Sequence, residues 1–512
     1  MTTIEYLSLS KPQRILYKIA NFFIMIPKGI LSFFKKLPKK CRAIVKKLVN
    51  PFKNLYTYFA RGDYKTRLSF LLMGFGQVTR HQYIRGIFNF IFEIVAILFV
   101  VLIGIPNWIK LPSFGYTGQT QYIDTNSPTF TYIYKDDSFN ILLYSILAII
   151  VLLLLVYLWY SQIKEAYRLQ EENNIGHIIT DKTTINDFTG KNYHKVLLGI
   201  PTFGLVMFTI IPLIFMILIG FSNYSSAHNS PKELFDWIGL NNFSRLFGIT
   251  GSGGNQFASV FLQILIWTLV WAFFATFTNY FFGMIVAIMI NKKGIKLKKM
   301  WRTILIMTIA VPQFVSLLLM SKMFDQDLGV VNKLLMQWGW ISSPIPWWKD
   351  GLIAKVLIIC INMWIGIPYT MLISTGLLLN IPEDLYESAK IDGANAYKMY
   401  MRITLPYMLF VTGPYLISNF TGNINNFNVI YLLTQGGPVF TTVNGQMIAV
   451  DVFGAGQTDL LITWLYKIAM GEVNKDYGVA SVIGIVVFVV VAFISLIFYK
   501  RTNSVKNEED FQ

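Results

Sequence analysis

The chain has 512 residues, of which 54% are hydrophobic, 16% are aromatic and only 14% are charged. Soluble domains carry about 25% charged residues, so this composition excludes an ordinary soluble protein and indicates a polytopic membrane protein. The formal net charge is +17, and the two cysteines, Cys41 and Cys360, predict no disulfide framework. The four histidines lack the spacing of metal ligands, so no metal site is expected.

The positive charge is concentrated at the N-terminal end of the chain. Residues 1–85 hold many lysines and arginines, with only Glu5 and Asp63 as acids. Short cytoplasmic segments beside membrane spans collect basic residues and attract anionic lipid, and no nucleic-acid recognition motif accompanies the charge here. The apolar patches within 1–60 are too short to span, which favours interfacial amphipathic helices over the alternative, a disordered basic tail. Residues 1–83 are therefore predicted to be a basic cytoplasmic or interfacial region.

Long apolar runs then predict membrane-spanning helices. Each run reaches the roughly 20 residues that a helix needs to cross a bilayer. The fold class is accordingly all-α, a polytopic membrane protein with about eight transmembrane helices. The predicted spans are 84–105, 139–160, 195–220, 256–290, 301–323, 352–379, 407–433 and 477–499.

The distribution of basic residues orients these spans. Six basic residues crowd the connection between the fourth and fifth spans, whereas 324–351 holds two lysines among three aspartates. Cytoplasmic loops are rich in lysine and arginine. The termini, the 501–512 tail and the segment 380–406 are therefore predicted to be cytoplasmic, in a multi-pass protein of the cell membrane.

Charged residues are nearly absent from the predicted spans, and Glu93 is the exception. Intramembrane charges often mark ion paths, but one carboxylate makes a weak proton relay, and a buried or snorkelling carboxylate near Arg85 is favoured. There is no catalytic constellation and no GxxxxGK[ST] phosphate loop. The chain is therefore predicted to be no enzyme, and any ATP is expected on another chain.

Neutral polar residues form two clusters inside the spans. One cluster is spaced as Asn362, Gly366 and Tyr369, and the other has five asparagines within 419–428. The spacing places each set on one helix face. Amides donate and accept hydrogen bonds together, as a hydroxyl-rich solute requires. Two interpretations stay open, the lining of a solute path and hydrogen bonding between packed helices.

The polar segment between the sixth and seventh spans carries a specific motif. Glu387-Ser388-Ala389 is followed by Gly393 after three residues, then by Ile403 after nine, and then by Leu405-Pro406. This spacing resembles the signature of permeases of ABC importers, with Ser388 in place of an alanine. Stretches at 237–247, 362–369, 425–438 and 455–469 resemble the larger permease subunits of maltose/maltodextrin importers.

The resemblance implies an ABC type I importer permease fold. It divides the chain into accessory helices at 84–194 and a permease core at 195–500, which contains the coupling loop 380–406. The loop would form two short helices joined at Gly393 and dock on a cytoplasmic ATPase subunit. The residues implied in coupling are Glu387, Ser388, Ala389, Asp392, Gly393, Ile403, Leu405 and Pro406.

The resemblance also implies a substrate and partners. The substrate would be maltose, a maltodextrin or a related oligosaccharide, with another polar solute such as a sugar alcohol as the alternative. A polytopic membrane enzyme or scaffold is the alternative from another class. The partners would be a second permease, two ATPase subunits that bind the ATP and magnesium, and an extracellular solute-binding protein, and this chain would bind no cofactor. The implied substrate contacts are Asn362, Gly366, Tyr369, Asn419, Asn423, Asn426 and Gln313.

Overall fold

The structure is a computed structural model that describes residues 39–115, 119–123, 130–134, 136–190, 192–229, 233–249, 254–292, 294–471 and 474–501. The described chain is mostly helical, which confirms the all-α prediction. It forms two compact units. The first comprises the described residues up to Ile109 together with Tyr144–Thr209. The second comprises the described residues of Lys110–Leu143 together with those from Ile210 onward. The predictions for residues 1–38 and 502–512 lie outside the described residues.

The elements described before residue 220 combine long helices with short ones and a pair of strands. One π-helical turn, Val100–Gly104, and another, Val206–Ile210, each join two α-helices into one continuous span. The two strands pair antiparallel, with Gln119 opposite Tyr134. The elements are α1 (Lys39–Arg61), α2 (Tyr64–Leu68), α3 (Phe75–Val78), α4 (Tyr83–Phe99), α5 (Ile105–Lys110), β1 (Gln119–Ile123), β2 (Phe130–Tyr134), α6 (Ser138–Asn174), α7 (Asp181–Thr189), α8 (Tyr193–Leu205) and α9 (Ile211–Ile219).

The elements after residue 220 alternate long apolar helices with short ones. A third π-helical turn, Tyr400–Thr404, leads directly into a long helix. The elements are α10 (Asn241–Leu246), α11 (Gly254–Asn291), α12 (Lys298–Ala310), α13 (Gln313–Met323), α14 (Val330–Gln337), α15 (Gly351–Leu378), α16 (Glu383–Ile391), α17 (Ala396–Met399), α18 (Leu405–Ile424), α19 (Phe427–Thr434), β3 (Thr442–Val443), β4 (Gln446–Met447), α20 (Leu461–Met470) and α21 (Tyr477–Arg501).

Six helices among the described residues are long and apolar enough to cross a membrane, and a bent pair brings the number to seven. They match six of the predicted spans, and the fifth and seventh predicted spans are both broken. The six are Tyr83–Lys110, Ser138–Asn174, Tyr193–Ile219, Asn255–Asn291, Gly351–Leu378 and Tyr477–Ile497.

The fifth predicted span breaks before a proline. Helices α12 and α13 meet at 87°, and Val311 between them is extended, with ψ at 126°. A residue that precedes proline is disfavoured in the helical region, so Pro312 ends α12. The seventh predicted span breaks between Ile424 and Phe427, where the Asn426 side chain accepts a hydrogen bond from the Val429 N–H and caps α19.

The first unit has a polar network around its short helices. Glu93 is buried, as expected, but its Oε2 accepts the Met73 N–H at 2.8 Å, whereas Arg85 pairs with Glu165 at 3.0 Å. The prediction that Arg85 is the neighbour that pairs with Glu93 is therefore wrong. A backbone amide satisfies this intramembrane carboxylate, which supports a structural role for it.

Asp63 is the acidic residue that joins two elements of the first unit. It accepts a hydrogen bond from the Thr66 N–H at 2.8 Å, which caps α2, and pairs at 2.6 Å with Arg80, whose side chain is 3% exposed. Burial by itself raises the pKa of the Asp63 carboxyl, but the hydrogen bonds from Thr66 and Arg80 outweigh it and hold that pKa below its usual range. The ionised form is therefore the one that the fold stabilises.

We expect Asp63→Asn to lower the free energy of unfolding at neutral pH by about 1 kcal/mol, because the ion pair with Arg80 is lost, whereas an asparagine oxygen still caps α2. Since the folded-state pKa is lowered, the contribution is present above the usual carboxyl pKa and is lost as the pH falls through the folded value. Thermal unfolding of the purified protein at neutral and acidic pH checks this. The gap to wild type should narrow in acid, and the exposed Asp236→Asn should show no gap; a gap that is independent of pH contradicts the assignment.

The second unit packs around α11. Where α11 meets α15, a Cβ on Gly283 would clash with Thr370, so glycine lets the two helices approach closely. Tyr280 also bonds across to Thr412 of α18, with 2.8 Å between the hydroxyls. A second contact joins the Trp271 Nε1–H to the Asn423 carbonyl at 3.1 Å. Helices α11, α15 and α18 are thereby held in register.

The segment after α19 is fixed by a buried acid. Asp459 is fully buried, and its carboxylate lies 2.6 Å from the Lys467 ammonium and accepts the Gly456 N–H at 2.7 Å. Burial raises the pKa of Asp459, and Lys467 opposes that rise. A buried acid keeps its charge only with such partners. Because Gly456 lies in the segment after α19 and Lys467 lies on α20, the Asp459 carboxylate connects that segment to α20.

Candidate functional site

A cavity of about 400 Å³ lies among α11, α12, α13, α15 and α18 of the second unit. Its lining is polar but uncharged, since amides, hydroxyls and a few apolar side chains make up the residues that surround it. The seven residues that were predicted to contact substrate all line this cavity. They are Asn362, Gly366, Tyr369, Asn419, Asn423, Asn426 and Gln313.

Helix periodicity and helix breaks together bring these residues to one place. The spacing on α15 and α18 puts each set on one face, as predicted. The break at Val311-Pro312 adds the start of α13, with Gln313 as its first residue. The break after α18 adds Asn426. Irregular backbone is tolerated at membrane depth where it lines a cavity, which is where both breaks lie.

The asparagines of α18 also bond within the chain. The Asn423 Nδ2–H donates to Thr276 Oγ1 of α11 at 2.9 Å, and the Asn426 Nδ2–H donates to Asn423 Oδ1 at 3.4 Å. Asn419 bonds only one turn back, to the Tyr415 hydroxyl at 3.1 Å, among the contacts found in the described chain. Asn423 therefore joins two helices while it lines the cavity, whereas Asn419 keeps most of its bonding capacity.

The structure adds lining residues that the sequence analysis missed. They include Asn279 on α11 and Tyr415 on α18, together with hydroxyl side chains of α12, α13 and α15. Asn279 could have been found, because it is the one asparagine in the apolar run 256–290, and a polar residue there is an available signal. The hydroxyl residues could not, since serine and threonine are common in spans for packing reasons.

A second charged residue also lies inside a span. Lys355 stands one turn into α15, and its Nζ lies 5.0 Å from the ring centroid of Trp267. The expectation that Glu93 is the exception among the spans is therefore wrong. The long aliphatic stem of Lys355 and the face of the Trp267 indole ring make a lysine tolerable at such a place.

The segment 380–406 has the two-helix form that the resemblance implies. Helix α16 ends before Gly393, whose φ of +73° is in the left-handed region, and α17 follows after Asn395. The Asn395 side chain accepts the Lys398 N–H and caps α17. Glycine adopts this backbone without the Cβ penalty that other residues meet, so the turn requires it.

The two-helix loop is anchored at one end and exposed at the other. Tyr386 and Thr404 bond across it at 2.9 Å, and Leu405 packs against the cluster around Tyr280 and Met408. The other residues implied in coupling are mostly exposed, and a shallow cavity of about 280 Å³ lies between the two short helices. Its lining is Ala389, Asp392, Ala394, Lys398, Met399, Arg402 and Ile403.

Comparison with known proteins decides the family. The model of the "Binding-protein-dependent transport system inner membrane component" matches residues 279–504. The galactooligosaccharides transport system permease protein GanP of Bacillus subtilis is 32% identical over 439 residues, which are 86% of this chain and 97% of GanP. The chain belongs to this family of importer permeases. The prediction of a non-enzymatic ABC importer permease is thereby confirmed.

A second relative and a solved structure are also similar to the permease. The maltodextrin transport system permease protein MalC of Streptococcus pneumoniae is 31% identical over 455 residues, which are 87% of this chain and 97% of MalC. The crystal structure of a bacterial ABC transporter involved in the import of the acidic polysaccharide alginate shows 20% identity and a TM-score of 0.48, covering 63% of this chain and 99% of that one. The permease is a multi-pass membrane protein of a binding-protein-dependent system.

Proposed function

We propose that this permease carries a neutral oligosaccharide, a maltodextrin or a close relative, through the cavity described above. The observation that carries the proposal is that amides from four separate helices, α11, α13, α15 and α18, converge on one uncharged cavity beside the ring of Tyr369. Sugar hydroxyls donate and accept hydrogen bonds together, and amides match both functions. The relatives named for maltodextrin and galactooligosaccharides support a sugar as the solute.

The size of the cavity supports a ligand of this class. Its volume of about 400 Å³ lies within the range of about 300–1,000 Å³ that is usual for small-molecule sites. Tyr369 is 50% exposed in the single chain. A second permease that faces it would bury this ring and complete the wall of the path.

The two-helix loop is the proposed docking site of a cytoplasmic ATPase subunit. Its exposed residues, Glu387 to Gly393, would enter a cleft of the ATPase, while Ile403, Leu405 and Pro406 transmit the movement to α18. ATP and magnesium would be bound by two ATPase copies and not by this chain. Their closing would shift the permease between inward-facing and outward-facing states, as an external ligand shifts a two-state equilibrium.

The remaining partners follow from the proposed direction of transport. An extracellular solute-binding protein would deliver the sugar, and both termini of the permease would be cytoplasmic. The basic connection between α11 and α12 supports this orientation, because it would then lie on the cytoplasmic side together with the coupling loop.

The test combines co-purification with uptake in the host cell. A tagged copy of the chain is purified in mild detergent, and the chains that come with it are identified; an ATPase and a second permease are expected. A strain that lacks the gene is then assayed with labelled maltotriose, a galactooligosaccharide and a sugar alcohol. Loss of maltotriose uptake, restored by the wild-type chain, supports the proposal, whereas unchanged uptake of all three solutes overturns it.

A further inference from the structure

Two residues that line the cavity each carry a buried polar atom without a partner. Asn279 Oδ1, an acceptor, and Asn362 Nδ2, a donor, have no hydrogen bond within the described chain. The two side chains are only 8% and 6% exposed. Buried amides in folded proteins are nearly always paired, so an unpaired acceptor and an unpaired donor at one cavity wall indicate a place for a polar ligand group.

The surroundings of Asn279 hold its amide in place. Gly366 lies one turn after Asn362 on the same face of α15, and a Cβ at Gly366 would clash with the Asn279 amide. The backbone is fixed as well, because the Thr370 hydroxyl donates to the Asn279 carbonyl at 2.7 Å. The amide of Asn279 is therefore packed against α15 at Gly366, one turn from Asn362, before any ligand arrives.

We propose that Asn279 is a specificity-determining residue that, with Asn362, binds a hydroxyl group of the transported sugar. A hydroxyl can accept from an amide N–H while it donates to an amide oxygen, so one hydroxyl bound between the two side chains would satisfy both atoms. Two neighbouring hydroxyls of a pyranose ring do the same. This inference rests on the proposed function, and it adds a contact from the fourth span, where the sequence analysis placed none.

A site built to hydrogen-bond a hydroxyl rejects an analogue that lacks it, because the buried polar groups then stay unpaired. The wild-type permease should therefore discriminate strongly against one monodeoxy maltotriose in a panel of such analogues. Asn279→Leu removes the amide while it keeps a similar shape. We expect it to take up maltotriose about tenfold more slowly, which corresponds to about 1.4 kcal/mol, and to lose discrimination at that one position.

The matched control is Thr278→Val, which removes a polar group from the residue just before Asn279. The Thr278 hydroxyl donates to a backbone carbonyl of its own helix at 2.6 Å. This variant should keep the wild-type pattern. If Asn279→Leu does not accumulate in the membrane, Asn279→Ala carries the same expectation without added bulk beside Gly366. An Asn279 variant that accumulates and keeps the wild-type discrimination overturns the inference. Failure of the wild-type permease to take up any panel sugar would instead refute the proposed function.

Discussion

Replacement of Gly393 with aspartate is expected to reduce uptake at least about a hundredfold while the permease still accumulates in the membrane. The glycine φ is +73°, where an L-residue is strained by about 1–2 kcal/mol. That strain alone corresponds to a factor of about 5–30. The larger part of the loss comes from a new carboxylate beside Asp392, on the exposed surface that would have to dock against the ATPase.

A matched control separates backbone strain from docking. Gly294 has a φ of +97° and, like Gly393, no atom within 4 Å of a Cβ built on it, but it lies in the connection between α11 and α12. Gly294→Asp therefore carries the same strain and the same charge outside the coupling loop, and it should retain most of the uptake. Uptake is measured with labelled sugar, and membrane levels are measured by immunoblot. Near-normal uptake by Gly393→Asp would contradict the proposed coupling role of the loop.

Replacement of Asn419 with leucine is expected to slow uptake about tenfold, since an unpaired sugar hydroxyl costs about 1–3 kcal/mol. Asn419 lines the cavity, and its bond within the chain is to Tyr415 of the same helix. No contact between helices is lost, so folding should be unaffected. Concentration dependence of uptake is the measurement, and a raised apparent KM is the expected form of the defect.

Asn428→Leu is the matched control for Asn419→Leu. It changes the same residue type nine positions later, on α19, where the side chain is exposed and does not line the cavity. Its uptake should equal that of wild type. Equal uptake by both variants would remove Asn419 from the substrate path.

The substrate candidates show what residue spacing determines. Asn362, Gly366 and Tyr369 share a helix face because of their spacing, and the structure places that face on the cavity. Spacing could not show that Asn423 also reaches Thr276, because a partner 147 residues away in the sequence leaves no local pattern. It also could not show that Asn426 caps a helix, since that depends on where α18 ends.

The two-helix form of the loop 380–406 was the easiest part to predict. A glycine between two polar helical stretches reports a local backbone requirement, and the positive φ of Gly393 meets it within the loop itself. The breaks at Val311 and after Ile424 were harder, although Pro312 and the asparagines were visible. Hydropathy averaged over a window does not register such residues, so it predicts one continuous span over 301–323 and another over 407–433.

The sequence by itself determined the membrane class, the apolar spans, the spacing of the motif between Glu387 and Pro406 and the helix faces that carry amides, because composition, periodicity and spacing are properties of neighbouring residues. Only the tertiary structure decided which faces meet, that two spans are broken around the cavity, and that Asn279 of α11 stands beside Gly366 of α15. Those facts depend on contacts between segments far apart in the chain. An unpaired amide is recognised only when its whole surroundings are known.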